Sequence, residues 1–331
     1  MSNTTPIVTV FGGSGFVGRY IAHRMARAGW RVRVAVRRPN EAMHVKPYGD
    51  VGQVEPMLCN VRDEASTRRA IEGADAVVNC VGIHQETKFQ SFEDVHVDAA
   101  ELIARLSAEA GVSKLVHISA LGANAGAESV YSETKAEGDA LVLQAMPDAI
   151  ILRPSVVFGT EDRFFNRMAE FSRLSLVLPV VGADTKFQPV YVNDIALAVE
   201  KAITGDVAGG IYELGGPEVA SLRDLANIVM NSAGRRRILL DVPFRVARMQ
   251  AWGFEMIEKM SGGLIPAMLT RDQVKMLAVD NVVNEGAAGF AELGIKPTAM
   301  ESVLDGYLYH YRTYGQYTAI TESGKSLINQ V

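Results

Sequence analysis

The heptapeptide Gly12-Gly13-Ser14-Gly15-Phe16-Val17-Gly18 directly follows the apolar run Ile7-Val8-Thr9-Val10-Phe11, and no other feature constrains the fold as strongly. A strand passing through such a turn into a helix predicts the opening βαβ unit of a dinucleotide-binding sheet. Gly12 permits the tight turn, Gly15 lets the backbone approach a pyrophosphate, and Gly18 lets the helix pack close to the strand. The phosphates would rest on unpaired N–H groups of the first helical turn, around Phe16 and Val17.

The next 130 or so residues (roughly, since element ends are the least certain part of such a reading) alternate apolar strands with helical patterns. Tyr20 to Ala28, Thr67 to Ile71, Val95 to Ala110 and Glu133 to Ala145 read as helices. Val32 to Val36, Val54 to Leu58, Ala76 to Val81, Leu115 to Ser119 and Ala149 to Leu152 read as strands. This alternation predicts an α/β fold, a doubly wound parallel Rossmann sheet. Beyond Arg153-Pro154 prolines punctuate shorter elements. The reading is a nucleotide-binding domain over residues 1–160, with 187–204 folding back onto it. A smaller mixed α/β C-terminal lobe of docking or substrate type then occupies most of 161–331, ending in a polar arm from Tyr317 onward.

Composition narrows the function. Hydrophobic residues make up 48% of 331, which suits a packed globule, and the net charge of −5 gives no sign of nucleic-acid binding. Cys59 and Cys80, the two cysteines, sit in apolar stretches and read as buried reduced thiols rather than a disulfide or metal site. The opening is short and polar, unlike a secretory signal, and no apolar run is long enough to span a bilayer. Any membrane association is then expected to be peripheral.

NAD-selective sites place an acid roughly 20 residues after the glycines to hold the ribose 2′-OH. Here that region carries Arg37 and Arg38 and no acid. A guanidinium suits a 2′-phosphate, so the expected cofactor is NADP(H), with Arg19 assisting; solvated surface arginines are the plainer alternative. Asn60-Val61-Arg62-Asp63 follows the third strand where adenine would lie, although turn formation explains Asn60 and Asp63 nearly as well. Val81 and Gly82 would pass beneath the cofactor ribose.

Tyr131 and Lys135 stand four residues apart and share a helix face. An ammonium beside a phenol is expected to lower its pKa, so the tyrosine could exchange a proton near a nicotinamide while the lysine holds ribose hydroxyls. With Gly12-x-x-Gly15-x-x-Gly18, Leu152-Arg153-Pro154-Ser155-Val156-Val157-Phe158-Gly159 and Val190-Tyr191-Val192-Asn193-Asp194, this order resembles the extended short-chain dehydrogenase/reductase superfamily. The resemblance implies that the Arg-Pro segment, including Pro154 and Val157, lines the nicotinamide, and Ser119 joins the expected cofactor contacts. Strand phase puts Ala120 in the slot where active members carry a serine or threonine, with Ser119 on the opposite face. The chemistry is therefore expected to be weakened, with Tyr131 and Lys135 vestigial or positioning the cofactor.

Three longer stretches are more specific: Arg153 to Asn166, Ser119-Ala120-Leu121-Gly122-Ala123-Asn124, and Leu269-Thr270-Arg271-Asp272-Gln273-Val274-Lys275-Met276-Leu277. They resemble the dehydrogenase-like accessory subunit family of respiratory complex I, alpha subcomplex subunit nine and its bacterial counterparts, from about Pro6 to about Tyr314. The resemblance implies a tightly held NADPH outside the electron-transfer chain and a structural role on the peripheral arm near the quinone site and the membrane junction. Its expected partners are other complex I subunits and lipid headgroups. The lack of a transit peptide suits a bacterial member, peripheral on the cytoplasmic face of the inner membrane. The alternatives are a free-standing NADP(H)-dependent epimerase, dehydratase or reductase, and a redox-sensing nucleotide binder.

Two further features bear on docking. Phe244 to Met260 reads as an amphipathic helix with Val246, Met249, Trp252, Met256, Ile257 and Met260 on its apolar side. That side is expected first to face the core and second to meet a partner or lipid. Tyr307, Tyr309, Tyr311, Tyr314 and Tyr317 suit an interface, with half of them packing internally.

Overall fold

The first apolar run becomes strand β1 (Ile7–Phe11), and its alternating side chains set up both sides of the molecule. The computed structural model describes residues 5–312 and residue 315; the C-terminal arm, Tyr314 and Tyr317 lie outside the described residues. After β1 come α1 (Phe16–Arg27), β2 (Arg31–Val36), β3 (Val54–Leu58), α2 (Glu64–Ile71), β4 (Ala76–Asn79), α3 (Ala99–Glu109), β5 (Lys114–Ile118), α4 (Val130–Ala145) and β6 (Ile150–Pro154). The second half holds β7 (Val157–Phe158), α5 (Phe164–Leu174), β8 (Val177–Val181), β9 (Lys186–Phe187), β10 (Val190–Tyr191), α6 (Val192–Thr204) and β11 (Gly210–Leu214). It ends with β12 (Ala220–Ser221), α7 (Leu222–Ser232), β13 (Ile238–Val242), α8 (Phe244–Met260), α9 (Arg271–Met276) and α10 (Glu301–Leu308).

Seven strands in the order β11-β6-β5-β4-β1-β2-β3 form one parallel sheet. Val8, Val10, Val34, Val116 and Leu152 point to one face and pack with Ile21 and Met25 of α1 and Ile195 and Val199 of α6. Phe11, Val77, Leu115 and Ile151 point to the other, against Ile71, Ile103, Leu106 and Val142 of α2, α3 and α4. Apolar residues on both faces are what a doubly covered parallel sheet requires. The chain from β6 through α6 to β11 is one more strand–helix–strand repeat, interrupted by an insertion. This explains why Gly210–Leu214 joins the sheet although it lies within the stretch assigned mainly to the C-terminal lobe. The insertion and the later helices enclose a separate core of Phe158, Phe165, Leu178, Leu225, Val229, Leu304 and Leu308.

Three local readings are corrected. The first helix begins at Phe16, directly after the glycine turn. The helix expected from Val95 starts as a π-helical turn, Glu93–Asp98. Strand β4 stops at Asn79, whose side chain accepts the Val81 N–H at 3.0 Å and turns the chain out of the sheet.

The apolar side of α8 does not face the core. Only Ala247 and Ala251 are buried, packed with Val274. Val246, Met249, Trp252, Met256, Ile257 and Met260 are exposed, and Leu264, Ile265 and Met268 extend the strip. The helix seats itself on Ala247 and Ala251 with half-buried Phe244 beside them, which leaves most of its large aliphatic residues and Trp252 outward. Tyr307 and Tyr311, in contrast, turn inward: their hydroxyls donate to Asp162 at 2.6 Å and Asn166 at 3.1 Å.

Gly138 lies in the middle of α4, where alanine would ordinarily favour the helix by about 1 kcal/mol. A Cβ there would collide with the His96 carbonyl and reach Ala100 Cβ at 3.7 Å. Overpacking costs about 1–3 kcal/mol, so packing should win. Gly138→Ala is expected to lower the thermal midpoint, measured by circular dichroism.

Candidate functional site

The glycine turn is shaped by close contacts. Gly12 has a φ of +73°, and its N–H donates to Ala35 O at 3.0 Å. A Cβ on Gly18 would lie 2.7 Å from Gly13 Cα, whereas one on Gly15 would meet only Gly12 O at 3.2 Å. Gly15 is the N-cap of α1 and supplies no side chain. The backbone N–H groups of Phe16, Val17 and Gly18 make no hydrogen bond among the described residues. This is the positive end of a helix dipole with its donors free, a ready site for a diphosphate. Phe16 and Val17 contribute through their backbones, since the Phe16 ring packs on Gly159 and Val17 on the core.

Arg19 does not stand free to meet a phosphate. Its guanidinium is held by Glu161 at 3.3 Å and Ser14 O at 3.3 Å, and Glu161 also accepts from Tyr20 at 2.9 Å. It ties the turn to the segment after β7. Of the two arginines beyond β2, Arg38 pairs with Glu41 at 3.0 Å. Arg37 is exposed and has no side-chain partner among the described residues, so its guanidinium is available to an anionic ligand.

Local turn chemistry engages both polar residues after β3. Asn60 Oδ1 accepts from Arg62 N at 3.2 Å, and Asp63 caps α2 by accepting from Ala65 N at 3.1 Å. Beside them, Val61, Arg62, Asp94, Asp98, Ala99 and Leu102 line a cleft of about 210 Å³.

At the other end of the crevice Tyr131 and Lys135 are both buried on α4. Lys135 Nζ donates to Ile118 O at 3.3 Å, and a Cβ on Gly82 would stand 3.5 Å from that nitrogen. Burial pushes the lysine down to about 8, with Asp139 opposing. The expected lowering of the phenol is overturned: burial, then Asp139, pushes the Tyr131 pKa up. Desolvation of the phenolate outweighs the ammonium, so this tyrosine stays protonated.

Sequence reasoning missed the rings around it. His84 stacks on Tyr131 at 5.8 Å, while Phe92 and His96 meet it edge-on at 5.7 and 5.2 Å. His96 Nε2 accepts from Ile83 N at 3.2 Å, which assigns its proton to Nδ1, 3.2 Å from Thr134 Oγ1. Burial drives the ring down to about 3, so it is neutral. Ser119 is buried directly after β5. Its Oγ is fully enclosed with no hydrogen-bond partner, beside an Asp139 whose other oxygen takes Arg153 Nε at 2.9 Å. Pro154 is buried and its carbonyl accepts from Leu121 N at 2.8 Å; half-buried Val157 pairs with Val190.

Three further residues hold these parts together. Asp162 accepts from Phe165 N at 2.7 Å and Asn166 N at 3.1 Å. Asn281 bonds Ser155 Oγ at 2.6 Å and Leu121 O at 3.1 Å. Asp272 reaches the head of α4. The Thr270-x-x-Gln273 pattern marks the start of α9 as a capping box, but nothing in the sequence marks what that helix touches.

The buried lysine generates a pH prediction. Its folded pKa of about 8 lies below the ordinary lysine value of 10.5, so its contribution is complete above 10.5 and lost as pH falls through 8. Nucleotide-stripped protein should therefore gain stability relative to Lys135→Met as pH rises across that window, by about 2–4 kcal/mol. Urea midpoints of both proteins at pH 7.5 and 10 would measure it, and parallel curves would refute it.

Comparison with known proteins agrees with this architecture. The RmlD substrate binding domain family matches residues 7–251. The chain is 35% identical over 326 residues to NADH dehydrogenase (ubiquinone) 1 alpha subcomplex subunit 9 of Arabidopsis thaliana, covering 96% of this chain and 81% of that protein. To the Mus musculus protein of the same name it is 34% identical over 314 residues, covering 93% and 81%. In structure, the NADPH-dependent quinone oxidoreductase QOR2 of Escherichia coli, solved with NADPH, aligns with a TM-score of 0.69 at 15% identity over 92% of this chain and 99% of that one, a likeness of fold. Matching the RmlD substrate binding domain over most of its length, the chain belongs to the family of alpha subcomplex subunit 9 of NADH dehydrogenase (ubiquinone).

Proposed function

We propose that this protein is a nucleotide-holding accessory subunit of a bacterial NADH:ubiquinone oxidoreductase, structural rather than catalytic. The observation that carries this reading is the similarity, over 96% of the chain, to a named subunit of that enzyme. The cofactor is a nicotinamide dinucleotide, and NADPH is the form we assign. Free N–H groups at the head of α1 would hold its diphosphate and unpaired Arg37 its 2′-phosphate. Lys135, beside Gly82, would hold ribose hydroxyls, with Tyr131 at the nicotinamide end.

Several features argue against turnover. Ala120 offers no hydroxyl in the slot where a carbonyl would need one, a loss worth orders of magnitude in rate in comparable sites. Tyr131 resists ionisation, and the His84 ring stacks against it.

The site we assign in the complex is the peripheral arm near the membrane junction, on the cytoplasmic face. Among the described residues no helix is long and apolar enough to cross a membrane. The exposed strip of α8 suits the boundary of lipid headgroups and acyl chains. Trp252, Met249, Met256 and Met260 provide the apolar side, with exposed Arg245, Arg248 and Lys259 to meet anionic headgroups.

A tagged chain recovered from gently solubilised membranes should bring down other complex I subunits, identified by mass spectrometry; recovery alone would sink the proposal. Arg37→Ala should weaken NADPH binding roughly 10- to 100-fold, the worth of one charged hydrogen bond, and leave NADH binding nearly unchanged. Fluorescence titration of the stripped protein reads both, and equal losses would refute the 2′-phosphate assignment.

A further inference from the structure

Helix α9 is only six residues long, yet it bonds both segments that frame the nicotinamide end of the crevice. Asp272 accepts from Ser129 Oγ at 2.9 Å, Val130 N at 2.8 Å and Tyr131 N at 3.2 Å. These groups form the first turn of α4, the helix that carries Tyr131 and Lys135. Lys275 Nζ adds a bond to Glu128 O at 2.8 Å. On the opposite side Gln273 Nε2 donates to His84 O at 3.4 Å, and Glu258 of α8 accepts from Gln85 Nε2 at 3.4 Å. Gly82, His84 and Gln85 belong to the loop after β4, which passes Lys135 and places an imidazole over Tyr131.

α4 does not need this help to begin. Ser129 is its own N-cap, accepting from Ser132 N, so Asp272 is a second cap, delivered from a segment 141 residues away. A carboxylate at a helix N-terminus is favoured by the dipole and by charge-assisted bonds to free N–H groups. α9 is in turn fixed to α8, with Arg271 Nε on Glu255 at 2.7 Å and Val274 packed on Ala247 and Ala251. The contact is a handful of half-exposed polar bonds over a small apolar patch, the kind of region that opens locally at low free energy.

We propose that α8 and α9 form a latch, and that Asp272 closes it on α4 and so sets how long the nucleotide stays in the crevice. This rests on the reading that the crevice holds a nicotinamide dinucleotide. Closed, the latch keeps α4 and the loop after β4 together around the nicotinamide half. Opening it frees that half while the glycine turn and Arg37 still hold the adenosine half.

The test is a release measurement on full-length protein carrying its bound nucleotide, chased with excess NADP. Asp272→Ala should release NADPH at least tenfold faster than wild type, and Asp272→Asn, which keeps an acceptor, should restore part of the difference. Binding of adenosine 2′,5′-bisphosphate, which lacks the nicotinamide half, should be unchanged. Wild-type release from a folded Asp272→Ala protein, or equal weakening of both probes, overturns the latch. Should Asp272→Ala fail to fold, Gln273→Glu, which keeps the acceptor for Thr270 N and loses the donor to His84 O, must show the faster release or the latch falls. A wild-type protein that holds no nicotinamide nucleotide overturns the reading of the crevice itself, an outcome distinct from unchanged release.

Discussion

The contact between the start of α1 and the glycine turn is the constraint on which the rest depends. With Gly18 against Gly13, the helix begins almost on top of the strand that feeds it. No side chain fits at the contact, and the first three N–H groups are left without partners among the described residues. Unpaired donors at a helix terminus are costly when buried and useful when a ligand meets them. The same closeness fixes the end of β4, because Gly12 lies against the Cys80 carbonyl and the Val81 side chain. Turn, helix head and the loop beyond β4 are therefore one construction, and a shift in any of them moves the walls of the crevice.

At the far end burial, not charge, decides the chemistry. Lys135 sits where it would favour a phenolate, but Tyr131 is enclosed by Phe92, His84 and His96, and Asp139 adds negative charge one turn beyond the lysine. His117 is held neutral by the same enclosure. The result is a region around Tyr131 lined by neutral rings and one cation, which is suited to holding a ligand and poorly suited to moving protons.

The centre of the sheet was legible because β1, β4 and β6 are largely buried and mostly apolar, and because Gly12, Gly15 and Gly18 leave few alternatives; the edge strand β11, with Tyr212 and Glu213 in it, was not. The ends of α8 were legible from its period. The direction of its apolar side was not, since periodicity reports that a face exists and not what covers it. Arg37 and Arg38 looked equivalent until Glu41, three residues on, was seen to take one of them. Asp272 on α4 and Tyr307 on Asp162 join residues more than 140 positions apart, and both were invisible because each half looks like an ordinary polar residue. Only the fold makes such pairs meaningful.

The exposed strip of α8 follows from the same balance. An ordinary surface helix buries its large apolar residues and shows its charges to water. Here the inner contacts are Ala247, Ala251 and half-buried Phe244, with polar links from Glu255 and Glu258, while methionines, an isoleucine and a tryptophan are exposed. Burying a side chain of that size contributes about 1.5–3 kcal/mol, and these exposed residues gain little of it within the chain. An exposed apolar strip of this extent is the kind of surface that association covers.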